Sequence, residues 1–213
     1  MYEKQRKEMV EKWVRNAGIG DVRIIAAMEE VPRHLFVEAA IAHQAYSGSS
    51  LPIGFAQTIS HPTTVAWMTQ MLELKGGEKI LEIGTGSGYQ AAILAELGIR
   101  VFTIERIGEL ADRARRLFDK LGYDTIAIRK GDGSVGWTQY APYDRIIVTA
   151  GSPDIPETLQ NQLAVGGRMI IPVGDKTRQE FHIVVKQENG IRKIRLNKGA
   201  FVPLIGREGW GKD

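Results

Sequence analysis

The spacing of apolar residues divides the chain into two regimes. In residues 1–16, Met9, Val10, Trp13 and Val14 recur at helical spacing among Lys, Arg and Glu, which predicts an amphipathic helix. Asp21 is placed to cap a second helix whose inward residues are Ile24, Ile25 and Met28, and Pro32 ends it. Residues 43–60, with Gly48, Pro52, Gly54 and several Ser and Thr, are too irregular for a regular element, and a loop that long in a compact domain is usually functional. Pro62 suits the first turn of a helix reaching Leu74, stopped by Gly76-Gly77.

From Lys79 the pattern alternates: strand 79–83, helix 88–97, strand 100–105, helix 109–121, strands 125–130 and 144–149, helix 156–163, strand 168–173. This order predicts a doubly wound α/β fold with a mostly parallel sheet and helices on both faces. Gly98, Gly122 and Gly166-Gly167 fit left-handed helix caps. The runs Phe181–Lys186 and Ile191–Leu196 flank Asn189-Gly190, a type I′ hairpin signal, so an antiparallel pair is expected at the sheet edge. The length of 213 residues fits one domain, 1–213, with a helical segment and the long loop in 1–75 and the sheet core in 76–213.

The first strand carries the chemistry. Ile80-Leu81-Glu82-Ile83-Gly84-Thr85-Gly86-Ser87-Gly88 is an apolar run that ends in a carboxylate and three alternating glycines, and helix-favouring residues follow. It reads as a buried strand turning tightly into a helix over a ligand, since side chains there would keep backbone amides from the ligand and such turns demand positive φ. The next strand ends at Glu105, where an acid grips two ribose hydroxyls. A nucleoside-containing cofactor is implied. Gly86, Gly88 and Ala91 also satisfy a dinucleotide fingerprint in a shifted register, and a helix N-terminus is the plainer alternative for Glu82. A carboxylate facing the loop repels a pyrophosphate but suits a ligand that carries an ammonium and a sulfonium. The register Glu82-x-Gly84-x-Gly86-x-Gly88 resembles motif I of class I S-adenosylmethionine-dependent methyltransferases.

Two further segments belong to the same rim. Gly131-Asp132-Gly133 follows the third strand, where Asp132 is suited to accept from an adenine amino group and Gly133 to let the ring lie against backbone, although a plain Asp-Gly turn fits too. The loop Pro52 to Pro62 offers hydroxyls and amides just before a helix N-terminus, a surface for anions, while Ser60 also suits a helix cap. His61 reads as a cap or surface residue, and His34, His43 and His182 lie in unrelated segments without metal-ligand spacing, so no metal is expected.

Composition narrows the chemistry further. With no cysteine, disulfides, zinc thiolates and thiol nucleophiles are excluded. No stretch approaches ~18 apolar residues and no leader pattern opens the chain, so a cytoplasmic protein without membrane partner is expected. The 28 basic against 25 acidic side chains, net +3, give little support for nucleic-acid binding.

The segments Gly54–Pro62, Leu81–Tyr89, Glu105-Arg106-Ile107, Gly131-Asp132-Gly133, Ala141–Asp144, Val148–Gly151, Ile171–Gly174 and Phe201–Leu204 together resemble the protein-L-isoaspartate O-methyltransferase family over nearly the whole chain. The resemblance implies a seven-stranded Rossmann-like methyltransferase fold and S-adenosylmethionine as cofactor. It also implies methylation of the free α-carboxylate of L-isoaspartyl residues in aged proteins, whose ester then cyclises to a succinimide. Carried onto this chain, Glu82, Gly84, Thr85, Gly86, Gly88, Glu105, Arg106, Asp132, Gly133 and Thr149 hold the cofactor. Ser60 orients the acceptor carboxylate, Gln57, Thr58, Val202 and Leu204 hold the peptide, and isoaspartyl proteins are the partners of an expected monomer. Thr149-Ala150-Gly151 stands where methyltransferases of nucleobase amino groups carry Asn/Asp-Pro-Pro-Tyr/Phe, which argues against such substrates. Other acceptors, another carboxylate or RNA, and a non-catalytic cofactor binder are the rival readings. Family members have Gly before the Gln-Thr-x-Ser run where this chain has Ala56, so a positive φ there would strain or shift the loop.

Overall fold

The computed structural model describes residues 2–211. Helices α1 (Tyr2–Trp13), α2 (Val22–Glu30) and α3 (Pro62–Met71) precede the sheet. Asp21 caps α2, its side chain accepting from the Arg23 amide at 2.9 Å. Between α2 and α3 the expectation of an irregular segment is only partly met, because 3-10 turns at Arg33–Phe36 and Ala39–Gln44 are followed by a small hairpin of β1 (Leu51–Gly54) and β2 (Gln57–Ile59). Leu51, Ile53 and Ile59 are buried on one face of it, so a period-two pattern was present but too short to stand out among Gly, Pro and Ser.

The hairpin turn consists of Phe55 and Ala56, both left-handed at φ +54 and +55. Two positive φ values at the central residues match the right-handed twist of the strands, and glycine or asparagine normally fills them. Here the Gln57 amide nitrogen donates to the carbonyls of both Phe55 and Ala56 at 3.2 Å and holds the turn. Ala56 thus sits strained in the hairpin turn, and the pairing slips just before it, between Pro52 and Gly54. Relief of about 1–2 kcal/mol of left-handed strain, set against ~0.4–1 kcal/mol of added unfolded-state freedom, leaves Ala56→Gly a net stabiliser by roughly 0.5–1 kcal/mol. A thermal melt raised by about 1–3 °C is expected, and an unchanged or lower midpoint would show the strain to be absent.

The main sheet contains β3 (Lys79–Ile83), β4 (Arg100–Glu105), β5 (Ile126–Lys130), β6 (Tyr143–Val148), β7 (Leu163–Gly174), β8 (Gln179–Gln187) and β9 (Gly190–Gly199). Their order is β5-β4-β3-β6-β7-β8-β9, parallel as far as β7 and antiparallel from β7 to β8 and β8 to β9. Helices α4 (Tyr89–Glu96), α5 (Gly108–Leu121) and α6 (Glu157–Gln162) connect the parallel strands. The expected mostly parallel seven-stranded sheet with its antiparallel close is thus present.

Strand alternation divides the core into two layers. Ile80, Val101, Ile147 and Ile170 point into the layer with α1 to α5, while Leu81, Ile83, Ile104, Ile146, Val148 and Met169 join Leu159 of α6 in the other. Each fully buried side chain of this size contributes roughly 1.5–3 kcal/mol of transfer free energy. Two turn assignments change. The β8–β9 turn is centred on Glu188 and Asn189, with Gln187 paired to Gly190, so the left-handed residue Gly190 (φ +138) opens β9 and does not form a type I′ pair with Asn189. Gly166-Gly167 does not cap α6, which ends at Gln162; both lie inside β7, where the pairing with β6 slips between Tyr143 and Arg145. Among the described residues no helix is long and apolar enough to cross a membrane.

Candidate active site

The carboxyl ends of β3, β4 and β6 meet at the glycine turn, the rim where open α/β sheets bind ligands. Gly84, Gly86 and Gly88 all have positive φ, at +95, +52 and +89. A Cβ on Gly84 would lie 2.6 Å from the Thr149 hydroxyl, and one on Gly88 2.7 Å from the Phe118 ring, so both glycines are required by close packing as well as by conformation. The turn is pinned from below. The Gly84 and Thr85 amides donate to the Ile104 carbonyl at 2.9 and 3.2 Å, and the Thr149 hydroxyl is shared between the Ile83 and Gly84 carbonyls at 2.9 and 2.8 Å.

Glu105, at the end of β4, is buried to 6% exposure and accepts from the Gly86 amide at 2.9 Å and from the Ile107 amide at 2.9 Å. Each oxygen keeps a lone pair, the two acceptors that a ribose diol needs for its hydroxyl donors. Glu105 lines a cleft together with Gln57, Thr58, Gly84, Gly86, Arg106, Gly133, Thr149, Val202 and Leu204. Thr58, Gly84, Gly86 and Thr149 also line an adjoining cleft that contains Ser60, Thr85 and Tyr89. The loop from Gln57 to Ser60 and the glycine turn therefore border one continuous space. Three larger surface clefts, one by Asp154, His182 and Arg195, one by Leu35, Arg113 and Lys120 and one by Pro156, Asn161 and Glu208, bring neither Ser60 nor Gly84 to their walls.

Three of the sequence candidates lie elsewhere. Gly88 caps α4 and packs on Phe118, outside both clefts. Glu82 is fully buried and lines neither, because in-register pairing with Thr103 of β4 and Ile147 of β6 sets it beneath the turn. Thr103 donates to its Oε2 at 2.5 Å and lies 2.7 Å from the Thr85 hydroxyl, so Glu82 reaches the turn through two threonines. Its Oε1 has no hydrogen-bond partner. Asp132 is spent on protein donors: Oδ1 accepts from the Ser134 amide and hydroxyl at 2.8 and 2.7 Å, Oδ2 from the Arg207 amide at 2.7 Å. Burial would raise its carboxyl, but these donors, the Arg207 amide foremost, hold it below the usual range. Asp132 thus fastens the chain's end, and Gly133 alone of that turn reaches the cleft wall.

The segment from Val202 onward is stitched to the same rim. The Gly151 amide donates to the Val202 carbonyl and the Leu204 amide to the Gly151 carbonyl, both at 2.8 Å, and the Trp210 ring nitrogen reaches the Gly151 carbonyl at 3.2 Å. This sets Val202, Pro203, Leu204 and Ile205 as an apolar wall opposite the glycine turn. Ser60 is not the cap of α3. His61 takes that role, its Nδ1 accepting from the Thr63 amide at 3.1 Å, and burial keeps His61 below the ordinary imidazole range, so it is neutral at pH 7 and able to accept. The sequence reading passed over Tyr89, which lines the cleft beside Ser60, and Arg33, whose only signal was a charge set within the apolar stretch from Val31 to Val37.

Burial drives the Glu82 carboxyl up to about 8, against the Thr103 hydroxyl, which favours the anion, and with Glu105, whose charge opposes it. A folded-state value raised above the unfolded 4.5 means that the native protein keeps a proton which the unfolded chain releases, so stability falls as pH rises from about 4.5 to about 8 and levels off above. In Glu82→Gln this contribution is absent. Denaturant unfolding between pH 5 and pH 8 is expected to show the wild type losing a few kcal/mol more than the variant, and parallel curves would contradict it.

The family model for protein-L-isoaspartate (D-aspartate) O-methyltransferase matches residues 4–209. The protein-L-isoaspartate O-methyltransferase of Geobacter metallireducens is 54% identical over 209 residues, covering 98% of this chain and 97% of its own. A solved protein-L-isoaspartate O-methyltransferase superposes with a TM-score of 0.87 at 28% identity, covering 98% of this chain and 67% of that one. A second, from Plasmodium falciparum and in complex with S-adenosyl-L-homocysteine, gives 0.81 at 25% identity, covering 94% and 98%. Since the family model spans 206 of the 213 residues, from 4 to 209, and the glycine turn, Glu105 and the Ser60 loop surround one cleft, this chain belongs to the protein-L-isoaspartate (D-aspartate) O-methyltransferase family.

Proposed function

We infer that this enzyme transfers a methyl group from S-adenosylmethionine to the free α-carboxylate of L-isoaspartyl residues in damaged polypeptides, with Ser60 as the residue that orients the carboxylate. The observation that carries the assignment to residues is the shared lining: Thr58, Gly84, Gly86 and Thr149 border both the cofactor cleft and the space beside Ser60. When bound, S-adenosylmethionine supplies an electrophilic methyl on a sulfonium centre. Gly84, Thr85, Gly86, Glu105, Arg106, Gly133 and Thr149 are the residues that hold it, with Glu82 and Gly88 supporting the turn from behind.

No general base is required. An acceptor carboxylate with an ordinary pKa near ~4 is already ionised at neutral pH. The protein's task is positioning: the Ser60 and Thr58 hydroxyls donate to the carboxylate and fix one oxygen toward the methyl without removing a proton. Gln57 and the backbone of Val202 to Leu204 hold the peptide, while Ile83, Ile104, Leu204 and Ile205 keep water from the reacting atoms. In this reading residues 1–75 bring the acceptor loop and 76–213 the cofactor core. Isoaspartyl polypeptides are the partner, the 28 basic and 25 acidic side chains give no reason to invoke nucleic acid, and the cytoplasm is the expected place. The distinguishing test is the bond formed. Methyl transferred to an isoaspartyl peptide is expected to be released by mild alkali as an ester, and an alkali-stable product would contradict carboxylate methylation.

A further inference from the structure

Arg33 is fully buried behind the acceptor loop. Its Nε donates to the Ala45 carbonyl at 2.9 Å, and its Nη2 to the Ser49 carbonyl at 3.2 Å and the Ser60 carbonyl at 2.8 Å. The guanidinium carbon stands 4.8 Å from the centre of the Tyr89 ring, at the start of the helix that follows the glycine turn. One side chain therefore joins three points of the loop to the cofactor side of the cleft. Its Nη1 has no hydrogen-bond partner, and among the described residues the group meets backbone carbonyls and the Tyr89 side chain, with no carboxylate on it.

That arrangement is unusual, because a buried cation is normally paired with a carboxylate. The titratable groups that feel this charge are Tyr89, Tyr46 and His61. Burial raises the Tyr89 hydroxyl to about 12 and also raises Tyr46, so both are neutral near pH 7, and so is His61. Burial lowers the pKa of Arg33, yet a guanidinium does not deprotonate in a protein near neutral pH. The positive charge is therefore uncompensated by the protein, next to a pocket whose acceptor is an anion.

We infer that Arg33 is a positioning residue for the methyl acceptor: it fixes the backbone of Ser60, and its unpaired buried charge makes the pocket select an ionised carboxylate over a neutral group of the same shape. This rests on the assignment of Ser60 to the acceptor. A buried charge acts through low dielectric and is little screened by salt, so its effect persists at high ionic strength.

The test compares an isoaspartyl peptide with its isoasparaginyl analogue, in which the α-carboxylate is a carboxamide, binding to enzyme loaded with S-adenosylhomocysteine. The wild type is expected to prefer the carboxylate. In Arg33→Gln that preference should shrink by about tenfold, while Arg33→Lys keeps most of it but binds both peptides more weakly, since an ammonium does not span three carbonyls. Equal preference in the wild type, or an undiminished preference in Arg33→Gln with both affinities lowered alike, would reduce Arg33 to a structural clamp and overturn the inference. If Arg33→Gln does not fold, the wild-type preference in about 1 M salt decides: a retained preference supports a buried, unscreened charge, and its loss overturns the inference. Failure of the wild type to methylate the peptide would instead sink the proposed function, independently of this ratio.

Discussion

Gly84→Ala is expected to abolish useful cofactor binding. The new Cβ would stand 2.6 Å from the Thr149 hydroxyl, in a backbone at φ +95 that alanine rarely adopts. The hydroxyl has little room to retreat, because it bridges the Ile83 and Gly84 carbonyls, and the turn itself is tied to the Ile104 carbonyl. Left-handed strain of about 1–2 kcal/mol and overpacking of about 1–3 kcal/mol add to several kcal/mol, relieved by moving the turn off the cleft wall. A rise of roughly 100-fold or more in the dissociation constant for S-adenosylmethionine follows, measurable by calorimetric titration, together with a lower melting temperature. Gly86→Ala gives the contrast in stability. Its Cβ would have Ile53 Cδ1 at 3.5 Å as nearest neighbour, an ordinary contact, and its φ of +52 is near the left-handed minimum, so the melt should fall far less. A Gly84→Ala protein that binds cofactor like the wild type would show that the turn does not form the cofactor wall.

Ser60→Ala should act on turnover in place of cofactor affinity. The side chain borders the cleft beside Gly84, Thr85 and Gly86, while the residue's backbone is held independently by Arg33 through the Ser60 carbonyl. Losing the hydroxyl therefore leaves the loop in place and removes a donor to the acceptor carboxylate. Misplacement of a reacting atom by about 1 Å lowers rate on the order of 100-fold, so kcat is expected to fall by about that factor while the dissociation constant for S-adenosylmethionine stays within about twofold. Steady-state kinetics with an isoaspartyl peptide and a parallel titration separate the two. Unchanged kcat would remove Ser60 from the chemistry.

Much of this was legible because the relevant signals were local. The glycines of the turn, the acid that ends β4 and the alternation of strands and helices follow from spacing alone, and all three glycines have the positive φ that the turn demanded. What sequence could not resolve was which way a polar side chain faces within the sheet. Glu82 lies one residue before the residue that opens onto the cleft, and strand alternation turns it, like Ile80, toward the layer of α1 to α5. Asp132 was hidden for a different reason, since its partner Arg207 is 75 residues away and no local pattern reports that tie. The same holds for Arg33, whose bond to Ser60 spans 27 residues. Short elements failed by length: three residues of β2 give too little alternation to detect, although they place Thr58 on the cleft.

The central claim is that one cleft holds the cofactor's methyl beside a loop that accepts only a misplaced backbone carboxylate. Its most direct measurement is transfer of labelled methyl from S-adenosylmethionine to a synthetic isoaspartyl peptide and to the same peptide with normal aspartate. Stoichiometric labelling of the first and background labelling of the second is the predicted result. Equal labelling of both, or none of either by protein shown to bind the cofactor, would contradict it.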